Sequence, residues 1–412
     1  MDYFMLKENY TIQLLGLEGL EVINVVNKTF TLRLPVKPHV CPECGAVTTK
    51  IHDYRLQKIK HIPIPGSPYT IFIKKRRYVC PNCGKKIPEK NNLLPKYRSV
   101  TTNLQKQILY NCTNLLNMKQ ISNICNVSPS TVARTIENIK YRHIYKFPAI
   151  ISIDEFKGNA GGYKFQCIIT DPQKKKILDI LPNRNSEDIY NYLTNTDIKE
   201  RFKVKYVIMD MSSQFRSIMT RCFPEAKVIT DKFHTVRLAN WVIEYVRKQE
   251  QKKFTDIRRR YFKKSRFILL KRKRYLGKEE KEQLANMLKI APRLKKAYVL
   301  KELFYKVMDS KTEEQFNKRL SKWFMLVESY NIDKFLTMAQ SVRKWIHPIR
   351  RAVLTGYTNG YTEGCNNRTK VLKRICFGVR NFNRFRNRLL FIANYEKKSR
   401  IIYPCFPFVI IV

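Results

Sequence analysis

Ile150-Ile151-Ser152-Ile153-Asp154-Glu155-Phe156 is an apolar run that ends in acid, and Tyr206-Val207-Ile208-Met209-Asp210 repeats the arrangement further along. Both runs have the β-branched density of buried strands. Successive strand side chains point to opposite faces. Glu155 shares parity with Ile151 and Ile153, so Asp154 is the acid turned towards a site. A third carboxylate, Glu363, lies far downstream in Thr362-Glu363-Gly364-Cys365-Asn366-Asn367. Acids at strand ends, with one more on a late helix, can gather around divalent metal, and metal pairs are a means of cutting and rejoining phosphodiesters.

Working outward, Pro148 marks a boundary. After it the pattern predicts strands at Ala149 to Phe156, Tyr163 to Thr170 and Lys176 to Leu181, a helix around Ser186 to Leu193, and a strand at Tyr206 to Asp210. Three strands, a helix and a further strand is the order of a ribonuclease-H-like fold. A helix (Ser212 to Cys222), a strand (Lys227 to Thr230) and a long helix from Phe233 follow. Strands alternating with helices predict a largely parallel layer whose ligands collect at the carboxyl ends of strands, where Asp210 and Asp231 fall. From about Arg247 to Ile346 the chain reads as charged helices broken at Gly277 and Pro292, with apolar faces supplied by Phe304, Phe316, Leu320 and Trp323. Arg258-Arg259-Arg260, Lys263-Lys264 and Lys271-Arg272-Lys273-Arg274 recur with few balancing acids, which favours a phosphate-tracking surface over an ordinary solvated face. Lying between Asp210 and Glu363, this segment is expected to be an all-helical insertion in the core.

The composition agrees with a polyanion partner. Among 412 residues, 80 Lys and Arg face 33 Asp and Glu, a formal charge of +47. With 44% hydrophobic residues the chain can bury sizeable cores, so it is not a disordered basic tail. The first ten residues do not read as a secretory signal, and no run approaches the ~20 apolar residues of a membrane helix. Ile401 to Val412 is apolar but short and interrupted by Pro404 and Pro407, so it is expected as a packed terminal strand or an altered reading-frame end rather than an anchor.

Eleven cysteines are present. Cys41-Pro42-Glu43-Cys44-Gly45 and Cys80-Pro81-Asn82-Cys83-Gly84 are matching knuckles. The two-residue spacer lets both sulfurs reach one ion, and the glycine permits the turn beneath it. Two knuckles predict a four-thiolate zinc ribbon with one structural Zn²⁺, and the long stretch between them is expected to carry its own hairpin. His39, His52 and His61 lie nearby, but four thiolates already fill the shell. The other cysteines lack this spacing and read as buried thiols.

From Leu104 to Ile139 the periodicity is helical, interrupted by Asn126-Val127-Ser128-Pro129-Ser130. Helix, short turn, Ser-Pro start and helix is the layout of a helix-turn-helix. Its second helix offers Ser130, Thr131 and Arg134 near the end that reaches base edges. At the far end of the chain, Asn359-Gly360 is a turn signal and the Thr362 hydroxyl is expected to cap the next helix. On that helix Glu363, Asn367, Lys370 and Arg374 fall at i, i+4, i+7 and i+11, placing an acid and phosphate-binding groups on one face.

These features together resemble the DDE transposases of bacterial insertion sequences, in particular the ISL-three family. The resemblance is carried by the double knuckle, the helix-turn-helix, Ile153-Asp154-Glu155-Phe156, Val207-Ile208-Met209-Asp210-Met211, Thr230-Asp231-Lys232-Phe233-His234 and Asn359-Gly360-Tyr361-Thr362-Glu363-Gly364. It extends from Asn366-Asn367 and Lys370 through Lys373 to Phe382, and so spans nearly the whole chain in order. It implies Asp154, Asp210 and Glu363 as catalytic acids holding two Mg²⁺ (or Mn²⁺) ions. One ion would activate water and later the freed 3′ hydroxyl, and the other would stabilise the departing oxygen. Asp231 and His234 are expected behind the ligands or against DNA.

The resemblance further implies recognition of terminal inverted repeats and of target DNA in a homodimer or higher assembly, in the bacterial cytoplasm at the nucleoid and not at a membrane. The expected domains are a zinc ribbon (1–98), a helix-turn-helix (99–147), the first part of the core (148–246), the basic helical insertion (247–346) and the rest of the core with the Glu363 helix and tail (347–412). Two alternatives are a catalytically inactive, transposase-derived DNA-binding regulator and a structure-specific nuclease.

Overall fold

The computed structural model describes residues 12–13, 15–90, 94 and 98–395, which form two compact units. The apolar end from Ile401 lies outside the described residues. The first unit comprises residues 1–141 and 371–412, the second residues 142–370.

In the first unit β1 (Glu21–Val26), β2 (Thr29–Arg33), β5 (Ile51–Ile59), β6 (Thr70–Val79) and β7 (Lys86–Pro88) form one sheet, while β3 (His39–Val40) and β4 (Val47–Thr48) make a small ribbon. The expected hairpin between the knuckles is β5 against β6, antiparallel from Ile51↔Tyr78 to Ile59↔Ile71. Along β6, Ile71 and Ile73 are buried, and after a change of parity Arg76 and Tyr78. The β1–β2 hairpin has no counterpart in the sequence reading. Three helices follow, Thr102–Thr113, Met118–Ile124 and Pro129–Glu137, packed through Leu104, Ile108, Ile121, Val132 and Ile136. Thr101, Asn117 and Ser128 cap their starts by accepting backbone N–H bonds.

The Phe382–Asn394 helix joins these three, although 347–412 was expected to complete the core. Asn387 Nδ2 donates to the carbonyls of Ile136 and Ile139, and Arg384 pairs with Glu137. Buried Arg388 donates to the carbonyls of Cys112, Asn114 and Leu116. These carbonyls cluster at and beyond a helix end, where backbone acceptors lack intrahelical partners.

In the second unit β8 (Ile150–Phe156), β9 (Gln166–Asp171), β10 (Lys176–Leu181), β11 (Tyr206–Met209) and β12 (Lys227–Thr230) form a five-stranded sheet in the order β10-β9-β8-β11-β12. The expected largely parallel layer is only half so. β8, β11 and β12 run parallel, whereas β8-β9 and β9-β10 are antiparallel because short connections join them as hairpins. The carboxyl ends of the three parallel strands therefore share one edge. Helices Ser186–Thr194 and Ser213–Cys222 pack against each other beside the sheet, and residues 232–355 are wholly helical apart from their connections. One buried cluster runs from Ile151, Val207 and Met209 through Ala239 and Ile243 to Phe304, Trp323 and Phe335, so sheet and helices share a core. Among the described residues, no helix is long and apolar enough to cross a membrane.

Candidate active site

Asp154 lies near the end of β8, buried like the strand around it. Glu155 points the other way, to Arg184 at 2.7 and 2.9 Å. Asp210 follows β11 directly, and Asp231 follows β12 and caps the Lys232–Lys252 helix. Glu363 occupies the first turn of the Gly360–Ile375 helix. That helix starts before the position expected of it. Thr362 is already inside it, and its buried hydroxyl bonds Thr170 at 2.8 Å instead of capping.

At the centre of the cluster stands His234. Its Nδ1 is 2.8 Å from Asp231 Oδ2, 2.9 Å from Asp210 Oδ1 and 4.0 Å from Glu363 Oε1. The carboxylates of Asp210 and then Asp231 push its pKa up to about 10, so the ring is cationic at neutral pH. Burial alone would raise the Asp231 carboxyl, but His234 and the Asn359 N–H hold it below its ordinary value. Asp154 moves the other way, to about 7, through burial and then the negative charge of Asp210. Burial and the charge of Asp231 likewise raise Glu363. Four acids thus feel one another across a site in which His234 is the cation they share.

Two residues that the sequence reading did not assign to the site hold it together. Asn366 Nδ2 donates to Asp154 Oδ2 at 2.8 Å. Asn359 accepts from Ser152 Oγ, donates to Asp154 Oδ2 at 3.4 Å, and gives its backbone N–H to Asp231 Oδ1 at 3.4 Å. The signal for Asn366 was present, since it lies at i+3 from Glu363 and so shares its face. Asp231 and His234 were expected behind the ligands or against DNA; His234 contacts both Asp210 and Asp231, and these three bring a ligand atom each within 4.8 Å of one another.

The donor set suits hard divalent cations. It consists of carboxylate oxygens, and the buried Asp210 Oδ1 lies 2.9 Å from His234 Nδ1, which is 2.8 Å from Asp231 Oδ2. Asn367, Lys370 and Arg374 are exposed on the Glu363 helix, with Lys370 Nζ 3.5 Å from Asn367 Oδ1. Arg258, Arg259 and Arg260 are exposed on the Asp256–Lys264 helix. Arg259, Arg260 and Lys263 line a groove of about 510 Å³ with Arg247, Lys248 and Lys252.

In the first unit the four cysteine sulfurs converge. Cys41 and Cys83 are 3.5 Å apart, Cys44 and Cys80 3.4 Å, and Cys44 and Cys83 3.6 Å. These approach the ~3.8 Å edge of a tetrahedron with ~2.3 Å zinc–sulfur bonds. Gly45 and Gly84 adopt positive φ and donate back to Cys41 and Cys80, closing two equivalent knuckles. The backbone N–H groups of Cys83 and then Asn82 hold the Cys80 thiol down at about 6, while neighbouring sulfurs raise Cys44 and Cys83, so the protons are shared unequally among the four. His39 stacks on Tyr78, and His61 is buried between Thr101 and the carbonyl of Leu15. On the Pro129–Glu137 helix Ser130 and Arg134 are exposed, Thr131 is half-buried, and the Ser130 and Thr131 hydroxyls meet Ser128 Oγ.

Residues 151–389 match the transposase family of the ISL-three (ISL3) insertion sequences, and residues 37–83 match the zinc-finger of the transposases of IS204, IS1001, IS1096 and IS1165. The chain belongs to the ISL3 family of DDE transposases. The transposase for insertion sequence element IS1001 of Bordetella parapertussis is 24% identical over 379 residues, covering 89% of this chain and 92% of that protein. The transposase for IS1557 of Mycobacterium tuberculosis H37Rv is 22% identical over 254 residues, covering 56% and 57%. Among solved structures, the Drosophila P element transposase strand transfer complex matches at 11% identity and a TM-score of 0.39, covering 77% of this chain and 95% of that one. This transposase is accordingly a DNA-binding enzyme of transposition with a zinc ribbon, and nothing favours the regulator alternative.

Proposed function

We propose that this transposase cuts and joins DNA at the carboxylate cluster, after binding the terminal inverted repeats of its element. The observation that carries the reading is the convergence of Asp154, Asp210 and Glu363, from three distant segments, around one strand-end edge. The sheet is then a ribonuclease-H-like core and the helices between Asp210 and Glu363 its insertion. The Met118–Ile124 and Pro129–Glu137 helices are the helix-turn-helix, whose Ser130, Thr131 and Arg134 read bases.

Asp154, Asp210 and Glu363 would hold two Mg²⁺ or Mn²⁺ ions, which supply charge stabilisation for the attacking and departing oxygens. Asn359 and Asn366 orient Asp154, while Asp231 holds His234 beside Asp210 and Glu363, where its positive charge offsets theirs. Lys370 and Arg374, on the helix of Glu363, hold the strand's phosphates in register with that acid, and Asn367 hydrogen-bonds alongside them. Arg258, Arg259 and Arg260 take phosphates elsewhere along the DNA. Both ends of an element must be cut, so a dimer or larger assembly on DNA belongs to the proposal.

The test uses the full chain with DNA from the borders of its element. Glu363→Gln keeps the shape and loses the charge, so it should retain end binding and lose cleavage by on the order of 10³-fold or more. Asp154→Asn and Asp210→Asn should match it, and double variants should be no worse than singles, because the acids act as a unit. Ca²⁺ in place of Mg²⁺ should permit binding without cutting. Wild-type cleavage by Glu363→Gln would overturn the assignment.

A further inference from the structure

Phe233, Arg237, Trp241 and Tyr245 recur every four residues along the Lys232–Lys252 helix, beginning beside His234. Three are aromatic and unusually open to solvent, with Phe233 59%, Trp241 58% and Tyr245 41% exposed. The Phe233 ring meets the His234 ring edge-on at 5.8 Å, so the stripe starts at the carboxylate cluster itself. Arg237 binds stripe and cluster together. Its guanidinium lies over the Trp241 ring at 4.7 Å, its charge acts on Glu363, and its Nε is buried without a hydrogen-bond partner among the described residues.

Exposed rings want flat apolar partners, and a desolvated guanidinium donor wants an anion; a nucleotide offers both. Intact duplex hides its base faces in the stack and shows only edges and phosphates. At about 1.5 Å per helical residue, Trp241 and Tyr245 are ~6 Å apart along the axis and Phe233 and Trp241 ~12 Å. Stacked bases on one strand are about 3.4 Å apart, so successive rings of this stripe cannot match a stacked strand. They match bases that have left the stack, which aromatic side chains bind by their faces with little regard to sequence.

We propose that this stripe binds unpaired nucleobases of the strand undergoing cleavage, with Trp241 and Phe233 against base faces and Arg237 on the adjoining phosphate. The proposal rests on reading the carboxylate cluster as the cleavage centre. Tyr245, over whose ring Lys334 lies at 5.4 Å, extends the platform away from that centre.

The chain offers a direct readout. Of its three tryptophans, Trp323 and Trp345 are buried, leaving Trp241 as the one a ligand can reach. Full-length protein is titrated with a short oligothymidylate and with a random duplex of equal length. The oligothymidylate should quench tryptophan fluorescence, and the duplex should do so far less. Trp241→Ala should weaken oligothymidylate binding about ten-fold, with duplex affinity changed less than about two-fold. Trp241→Phe should restore the binding without the quenching. Unchanged oligothymidylate affinity in Trp241→Ala, or an equal loss on both probes, would overturn the proposal. Asp154→Asn should stack as wild type does. Cleavage by that variant would remove the catalytic assignment and leave the quenching result to stand or fall alone.

Discussion

Asn366 shows what a single side chain contributes here. Its amide donates to Asp154 Oδ2 at 2.8 Å, while its own Oδ1 is buried without a hydrogen-bond partner among the described residues. Outer partners of metal-binding acids are commonly worth 10–100-fold in affinity or activity. Asn366→Ala should therefore lower cleavage by about that factor, raise the Mg²⁺ concentration needed and leave end binding intact; unchanged metal dependence would refute this positioning role. Asp231→Asn should slow cleavage rather than stop it, since it withdraws one of the two carboxylates that hold His234. The strand-end positions of Asp154 and Asp210 and the late helix of Glu363 were legible from parity and periodicity, without tertiary information. Asn366 shared a helix face with Glu363, but its bond to Asp154, like that of Asn359, was not legible, because the fold alone carries these amides to a carboxylate more than two hundred residues away in sequence.

Among the elements, the knuckles make the sharpest statement. Four thiolates gathered by β-turns on an otherwise small cluster of buried residues imply that metal and ribbon fold together. Full-length protein should carry one zinc at Cys41, Cys44, Cys80 and Cys83, and Cys80→Ser should release it and expose the β5–β6 hairpin to protease. Zinc-free, reduced protein with a protected hairpin would count against this.

The helical layer holds a different kind of test. Lys301 is fully buried, donating to the carbonyls of Leu269 and Lys271 and paired with Glu302, and burial lowers its pKa to about 8. Between pH 8 and 10 the unfolded chain therefore holds a proton that the folded chain has released, and stability rises with pH across that window. Lys301→Met should lack this rise, so its unfolding midpoint should fall increasingly behind wild type from pH 8 to 10. A constant gap would show that the group keeps its ordinary pKa. Strand and helix positions were readable from periodicity, but the antiparallel half of the sheet was not, since β9 is buried throughout and β10 over its last three residues, without the alternation of a one-faced antiparallel strand.

For the whole molecule the positive charge is the governing quantity, and it acts in two ways. Arg134 on its short helix is proposed to read bases, whereas Arg258, Arg259 and Arg260 are proposed to meet phosphates. Arg134→Ala should reduce the preference for element ends over random DNA. Neutralising the three insertion arginines should weaken both and flatten the logarithmic salt dependence by up to about three units. Equal losses on both DNAs in both variants would show that Arg134 reads nothing. The distribution of residues between the two units was the least legible level, because Asn387 and Arg388 look like any other residues of a basic helix.

The placement of these two residues has a consequence for biosynthesis. The carbonyls of Cys112, Asn114, Leu116, Ile136 and Ile139 receive side-chain donors that are translated more than two hundred residues later. The three helices of residues 102–137 thus emerge from the ribosome early and wait, unfinished, until the Phe382–Asn394 helix has followed them. A nascent or prematurely terminated polypeptide holds every cysteine of the ribbon yet lacks the last wall of the helical layer. Completion of this helical layer is in this way tied to synthesis having reached Asn394.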